Sequence, residues 1–398
     1  MDVEDARTIG ARLRQIRKSR RKSLVVIAEL AGMSKSQLDR IERGEVALNK
    51  LSDIVALANA LRIAPSDLMR LPVPAPANGH TDSTTEAVRL ALDAIDTDRP
   101  GGVVLPVAVL RDQVAQIHQQ RRACQFAEVA TELPGLIRNL HTTLATGTDH
   151  AELLDLAVYL HVHVTRLWLV RVAAPADLIR RTVFLVWRLA QQRDEVTTLG
   201  VAGFAVADTL LSGGAFDLGQ TVLDSLTLPP TTADTAGLMC QLSTCHAHAA
   251  VLDKRPGDMA APLDAATELA ERFGATGDDS LGCDCSSAEV AGHRMWLALE
   301  AGEPDQVLSI ARDVHPEQHP FLSGRAHYWM FYGRALAELP GRRDDAVRAL
   351  RTAEDIFPVK VLRDPLVRDV IATMLPGTRK DVIGMELRGM AHRAGLPV

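Results

Sequence analysis

Between residues 8 and 71 the apolar positions recur at the three- and four-residue spacing of short amphipathic helices. Ile9, Leu13 and Ile16 give a first helix one inward stripe, while its other faces carry Arg12, Arg14, Arg17, Lys18, Arg20 and Arg21. Ser23 is placed to cap a second helix over 24–31, which Gly32 ends. Ser34 is placed to cap a third over 35–43, with Leu38 and Ile41 facing inward and Gly44 stopping it. A fourth runs from Lys50 to Leu61 with Leu51, Ile54, Val55, Ala58 and Leu61 on one side, and Pro65 opens a short fifth reaching Leu71.

The pattern then breaks. Prolines 72, 74 and 76 and the small polar residues after them read as a linker over 72–85. From residue 86 to the end the helical period resumes and strand-like alternation is absent. Breakers such as Ser212-Gly213-Gly214, Pro229-Pro230 and Gly302-Glu303-Pro304 divide this region into helix pairs: 203–210 with 219–223, 235–252 with 259–273, and 286–301 with 304–313. The last pair carries the spacing Trp329-x2-Tyr332-Gly333-x2-Leu336, Ala346-x3-Leu350 and then Pro358, which follows a tetratricopeptide-repeat pattern with one residue inserted. Small Gly333 and Ala346 would let two antiparallel helices approach while Trp329, Tyr332 and Leu350 fill around them. The fold predicted is all-α: a five-helix domain over 1–71, the linker, and an α-solenoid over 86–398 whose stacked pairs bury one continuous core.

Length and charge sharpen that division. At 398 residues the chain exceeds one ordinary core, and 47% of it is apolar. The net charge of −6 hides an asymmetry: residues 1–71 hold 14 Lys/Arg against 9 Asp/Glu, so the remainder is strongly acidic. A basic segment on an acidic protein marks where a polyanion is attracted. No run of 18 uncharged apolar residues appears, and the N-terminus lacks the pattern of a secretory signal, so a cytoplasmic protein without a membrane role is expected. Five scattered cysteines do not make a disulfide framework.

Ala28, Gly32, Ser34, Leu38, Ile41, Glu42 and Gly44, followed by a fourth helix at the right distance, resemble the helix-turn-helix of the phage-repressor and Cro type (XRE-type). The resemblance covers 7–71. It implies a third helix that enters the major groove of double-stranded DNA with its N-terminal turn foremost. Ser34, Lys35, Ser36 and Arg40 then face DNA. The resemblance puts Lys35, Ser36 and Arg40 at base-reading positions, with phosphate contact as the alternative for the two cations. Arg43 and Lys50 fall where relatives touch the backbone, with the minor groove open to Lys50. Arg17 and Glu42 fall where relatives form an ion pair that sets Arg17 beside a phosphate. One departure stands out: the second helix opens on Leu24, Val25 and Val26, where relatives carry a polar residue that touches phosphate.

Such a head joined to helical repeats is similar to regulators of antibiotic production and development in actinomycetes and to peptide-pheromone receptors. That implies a homodimer on a two-fold symmetric operator and an effector, a small molecule or a peptide, in the repeat region. A single Asn beyond residue 86, Asn139, disfavours a peptide, because groove amides clamp peptide backbones. Candidate effector contacts are Tyr159, His163 and Arg166, at i, i+4 and i+7 on one helix, together with His293, Trp296 and Tyr328. Core packing is the competing explanation for all six.

Cys240, Cys245, His246 and His248, and separately Cys283 and Cys285, lack the four-ligand spacing of a zinc site, so no metal or other cofactor is expected. No phosphate-cradling loop, H-E-x-x-H or nucleophile elbow is present, and no enzymatic role is expected. The alternative to a regulator is an interaction scaffold whose solenoid docks partner proteins.

Overall fold

The computed structural model describes residues 8–69, 79–146, 149–226, 228, 232–274, 281–283 and 286–397. Among them every regular element is a helix. The first five are α1 (Ile9–Ser19), α2 (Leu24–Ala31), α3 (Lys35–Glu42), α4 (Leu51–Leu61) and α5 (Pro65–Met69). Their starts follow from the caps: Thr8, Ser23 and Ser34 accept from the backbone N–H groups of Ala11, Val26 and Gln37. Gly32, at φ 68°, ends α2 in the left-handed region that a side chain would resist.

The predicted linker is shorter than its composition suggests. Helix α6 (Gly79–Asp96) already spans 79–85. Residues 72–78 lie outside the described ones.

Helices α7 (Val107–Arg122), α8 (Phe126–Thr146) and α9 (His150–Leu160) follow α6, and α9 runs on through a π-helical turn, His161–Arg166, into α10 (Leu167–Arg171). The stretch His150–Arg171 is long and apolar enough to cross a membrane by length and composition, but most of it is buried inside the fold. Antiparallel pairs then succeed one another: α11 (Ala176–Arg193), α12 (Val196–Ser212) with α13 (Phe216–Ser225), α14 (Ala233–Leu252) with α15 (Ala260–Phe273), and α16 (Ser287–Ala301) with α17 (Pro304–Asp313). The series ends with α18 (Leu322–Glu338) and α19 (Arg343–Ile356), then α20 (Pro358–Arg363), α21 (Pro365–Met374) and α22 (Val382–Arg393). Glycine permits the close approach inside the last pair, since a Cβ on Gly333 would stand 2.8 Å from Leu350 Cγ.

The five N-terminal helices do not hang free. Ile9, Leu13, Leu38 and Leu57 share one contiguous apolar cluster with Leu350, Val367, Ile371 and Met390 from α19, α21 and α22. The C-terminal ends of four alternate helices, α12, α14, α16 and α18, also meet this head. A Cβ on Gly214, just past α12, would stand 2.8 Å from Val55. Past α14, Lys254 Nζ lies 3.5 Å from the Ala31 carbonyl oxygen. Glu300 on α16 accepts from the Leu51 N–H at 2.7 Å, and Arg334 on α18 donates to the Asn49 side-chain and backbone oxygens at 2.8 and 2.9 Å.

Two contacts across this junction do the work of helix caps. The N-cap position of α4, Lys50, makes no capping bond, and the Glu300 carboxylate satisfies the first N–H of that helix instead. Asp369 on α21 accepts from the Ile9 N–H, the first of α1, at 2.7 Å and from the Leu48 N–H at 2.8 Å. Both acids are buried, and burial pushes Asp369 up to about 6 and Glu300 up to about 7.

Candidate nucleic-acid interface and interior cavity

Helices α1 and α3 are locked together at two places. Gly10 on α1 lies against α3 so closely that a Cβ there would stand 1.9 Å from the Ile41 carbonyl oxygen. Nearby, Arg17 donates from Nε and Nη2 to both carboxylate oxygens of Glu42, each at 2.6 Å, in a fork-to-fork pair. The Arg17 side chain is 12% exposed and that of Glu42 is 2% exposed. Hydrogen bonding to Glu42 raises the Arg17 pKa above its ordinary value. The pair fixes the angle between α1 and α3.

With its inner side held by Leu38, Ile41 and Glu42, α3 turns its other side outward. Ser34, Lys35, Ser36 and Arg40 are all exposed at or after its N-terminal turn. Arg40 sits 3.8 Å from Glu45, and Arg43 bridges Glu45 and Asp39 at 2.8 and 3.2 Å. These are half-exposed surface pairs, which cost little to exchange for phosphate or base contacts.

Two further cations that the resemblance sets beside DNA have partners within the protein, and for Arg17 the partner is the expected Glu42. Arg17 has already committed Nε and Nη2 to Glu42 and Nη1 to the Lys22 carbonyl oxygen, at 2.9 Å, so it positions α3 from behind. Lys50 turns toward the helical region. Its Nζ is 3.4 Å from Asp53 and would be 3.1 Å from a Cβ on Gly302, because Asn49 and Leu51 on either side are bonded to α18 and α16. On α2, Leu24 packs inward against the shared core, whereas Val25, Val26 and Leu30 are exposed.

Buried crossings, caps and outward cations therefore coincide within residues 8–69, and a family model for the helix-turn-helix domain matches residues 8–71. Residues 8–71 are a helix-turn-helix domain. No curated protein and no solved structure matches the chain. Domains of this kind bind DNA, which the basic, outward face of α3 suits.

A cavity of about 510 Å³ opens among the helices of the remaining region. Five of the six residues singled out as effector contacts line it: His163, Arg166, His293, Trp296 and Tyr328. Tyr159 does not line it, and its ring instead packs on His163 at 4.9 Å and His118 at 5.3 Å. The π-helical turn at His161–Arg166 breaks the i, i+4, i+7 spacing assumed for this group and re-aims Arg166, whose Nη1 donates to Asp208 at 2.6 Å. Sequence reading missed the other cavity groups, Arg121, Arg122, Arg171, Glu289, His319 and His327. Burial lowers the pKa of His163 and His327 well below the ordinary histidine value, so both are neutral.

Cys240 and Cys245 are buried in separate apolar clusters, and the His248 ring packs at a tilt against Trp296, 4.2 Å between centroids. Among the described residues no three His, Cys, Asp or Glu side chains converge as metal ligands; Cys285 lies outside them.

Proposed function

We propose that this chain is a sequence-specific, DNA-binding transcriptional regulator that works as a homodimer, with DNA binding set by an effector held in the helical region. The observation that carries the reading is the division of the head into two sides. Its inner side is capped and packed by the helical region, while Lys35, Ser36 and Arg40 remain exposed on the opposite side of α3. A head held this way can present α3 to a major groove without leaving its dock. The outward side chains are of the kinds that read guanine edges or grip phosphate.

Effector control is supported by connectivity. Trp296 lines the cavity, and one helical turn later on α16 Glu300 caps α4 of the head. Arg334 does both at once, lining the cavity and bonding Asn49. A change in how α16 and α18 sit around the cavity is felt at the head. Dimerisation answers the small footprint of one head, since two heads on two-fold related half-sites supply the affinity that one lacks.

Selection from a random duplex library at near-physiological salt tests this reading. The wild type is expected to enrich one two-fold symmetric sequence, and Arg40→Ala to lose that enrichment while keeping weak, salt-sensitive binding. Enrichment of no sequence by the wild type would overturn it.

A further inference from the structure

We propose that the interior cavity is the binding site for a small organic anion with an apolar body, its acidic group held by Arg121 and Arg171. The assignment deepens the effector reading above, on which it rests only for its consequence at the head.

The argument begins with charge. Seven Arg and Lys side chains line the cavity against three carboxylates, and all three carboxylates are already engaged. Asp208 holds Arg166, Asp364 holds Lys360 at 2.5 Å, and Glu289 faces His319 at 3.1 Å. Arg121, near the end of α7, is buried with 6% of its surface exposed; its side chain makes no hydrogen bond or ion pair among the described residues, and its Nε is buried without a partner. Burial, with Arg171 and Arg122 beside it, lowers its pKa to about 9, which still leaves it charged at neutral pH. Arg171 gives Nη1 to neutral His327 and has no partner for Nε. Glu289 is near enough to act on both guanidinium groups, but its hydrogen bond goes to His319, and neither guanidinium forms an ion pair with a carboxylate among the described residues. Guanidinium groups that repel one another without a directly paired carboxylate are costly to fold around. An anion between them would remove that cost, and paired guanidinium donors match a carboxylate, sulfonate or phosphate in geometry.

The rest of the lining decides the body of the ligand. Phe204, Trp296, Phe321, Tyr328 and Phe331 supply apolar and aromatic wall, and Arg122 stacks on Phe321 at 3.9 Å. A volume of about 510 Å³ lies within the usual range of small-molecule sites and is too small for a duplex. The ligand class is therefore an acid carried on a ring system or a branched chain. Its consequence runs through α16 and α18, which carry Trp296 and Tyr328 into the cavity and Glu300 and Arg334 to the head.

The test uses two dyes of nearly one shape on the full chain: anilinonaphthalene sulfonate, which is anionic, and N-phenylnaphthylamine, which is neutral. The wild type is expected to bind the anionic dye saturably with one dye per chain. Arg121→Gln and Arg171→Gln should each weaken it about tenfold or more and leave the neutral dye within about twofold. Arg121→Gln should melt at the same or a higher temperature, because it removes an unpaired buried charge. Equal affinity of wild type and both variants for the anionic dye would overturn the proposal, as would a lowered melting temperature with loss of both dyes. The same titration on Arg40→Ala separates the two readings: unchanged dye binding there shows that the site stands whatever becomes of DNA recognition.

Discussion

Replacing Asp369 with Asn makes the head's attachment to the helical region measurable. Asp369 takes two backbone N–H groups of the head, Ile9 at 2.7 Å and Leu48 at 2.8 Å, and is 1% exposed. Burial lifts its pKa from an ordinary 3.8 to about 6, against the two N–H bonds that pull it down. The docked head therefore holds the Asp369 proton more tightly than an opened one. Its contribution is full below about pH 4, falls as the pH rises, and is lost above about pH 6, a change of about 3 kcal/mol at roughly 1.4 kcal/mol per pKa unit. Asn cannot titrate, and it turns an NH2 toward one of the two donors, leaving that donor unpaired at a cost of about 1–3 kcal/mol at every pH. Asp369→Asn should thus be the less stable protein at pH 5 and draw level with the wild type by pH 7.5. The assay is the free energy of opening from hydrogen exchange in peptides covering 9–16 and 46–58, followed against pH. Glu300, raised from 4.5 to about 7 by burial, leaves the variant with about half of the wild-type slope. A variant whose slope equals that of the wild type would refute the reasoning.

Other consequences are as direct. Gly10→Ala would push a methyl group against the Ile41 carbonyl oxygen, so α1 and α3 must separate; a loss of about 3 kcal/mol or more by denaturant unfolding is expected, with DNA binding lost alongside. Glu42→Ala strands the largely buried Arg17 guanidinium and should cost about 3–5 kcal/mol by the same measurement. Arg40→Ala, at a half-exposed site, should leave the melting temperature unchanged and weaken binding to a selected sequence by about 1–3 kcal/mol in fluorescence anisotropy. Arg334→Met removes both bonds to Asn49 and should speed hydrogen exchange around residues 46–52 while α1 to α3 exchange as before.

Much of the head was legible because its instructions are local. Ser23, Ser34 and Gly32 act on the residues beside them, so caps and ends fall where spacing puts them. The Arg17–Glu42 pair was legible only through the resemblance, since nothing local joins positions 25 residues apart. The helix pairs at 196–225, 233–273 and 287–313 follow from breakers between apolar stretches. The junction was hidden for the opposite reason. Asp369 and Ile9 are 360 positions apart, and an acid on an amphipathic helix reads as solvated surface until the partner backbone is in place. The surroundings of Lys50 were hidden for the same reason: its neighbours Asn49 and Leu51 are held by Arg334 and Glu300, far along the chain.

The cavity shows a different limit. Arg121 and Arg122 close α7 in the way that cations commonly favour a helix C-terminus, which masks the burial of Arg121. The π-helical turn at His161–Arg166 has no signal in apolar spacing, because that spacing presumes the α-helical period it departs from. It shifts every later side chain by about one residue's rotation, which is how Arg166 comes to face Asp208.

The central claim is that α3, and not another face of the head, reads the bases. A photo-cross-linker attached at Ser36→Cys, and in a separate protein at Leu30→Cys on the exposed apolar side of α2, tests it most directly on a selected duplex. Cross-links from position 36 to bases within the major groove, with none to bases from position 30, are the predicted result. Base cross-links from position 30 and none from position 36 would contradict it.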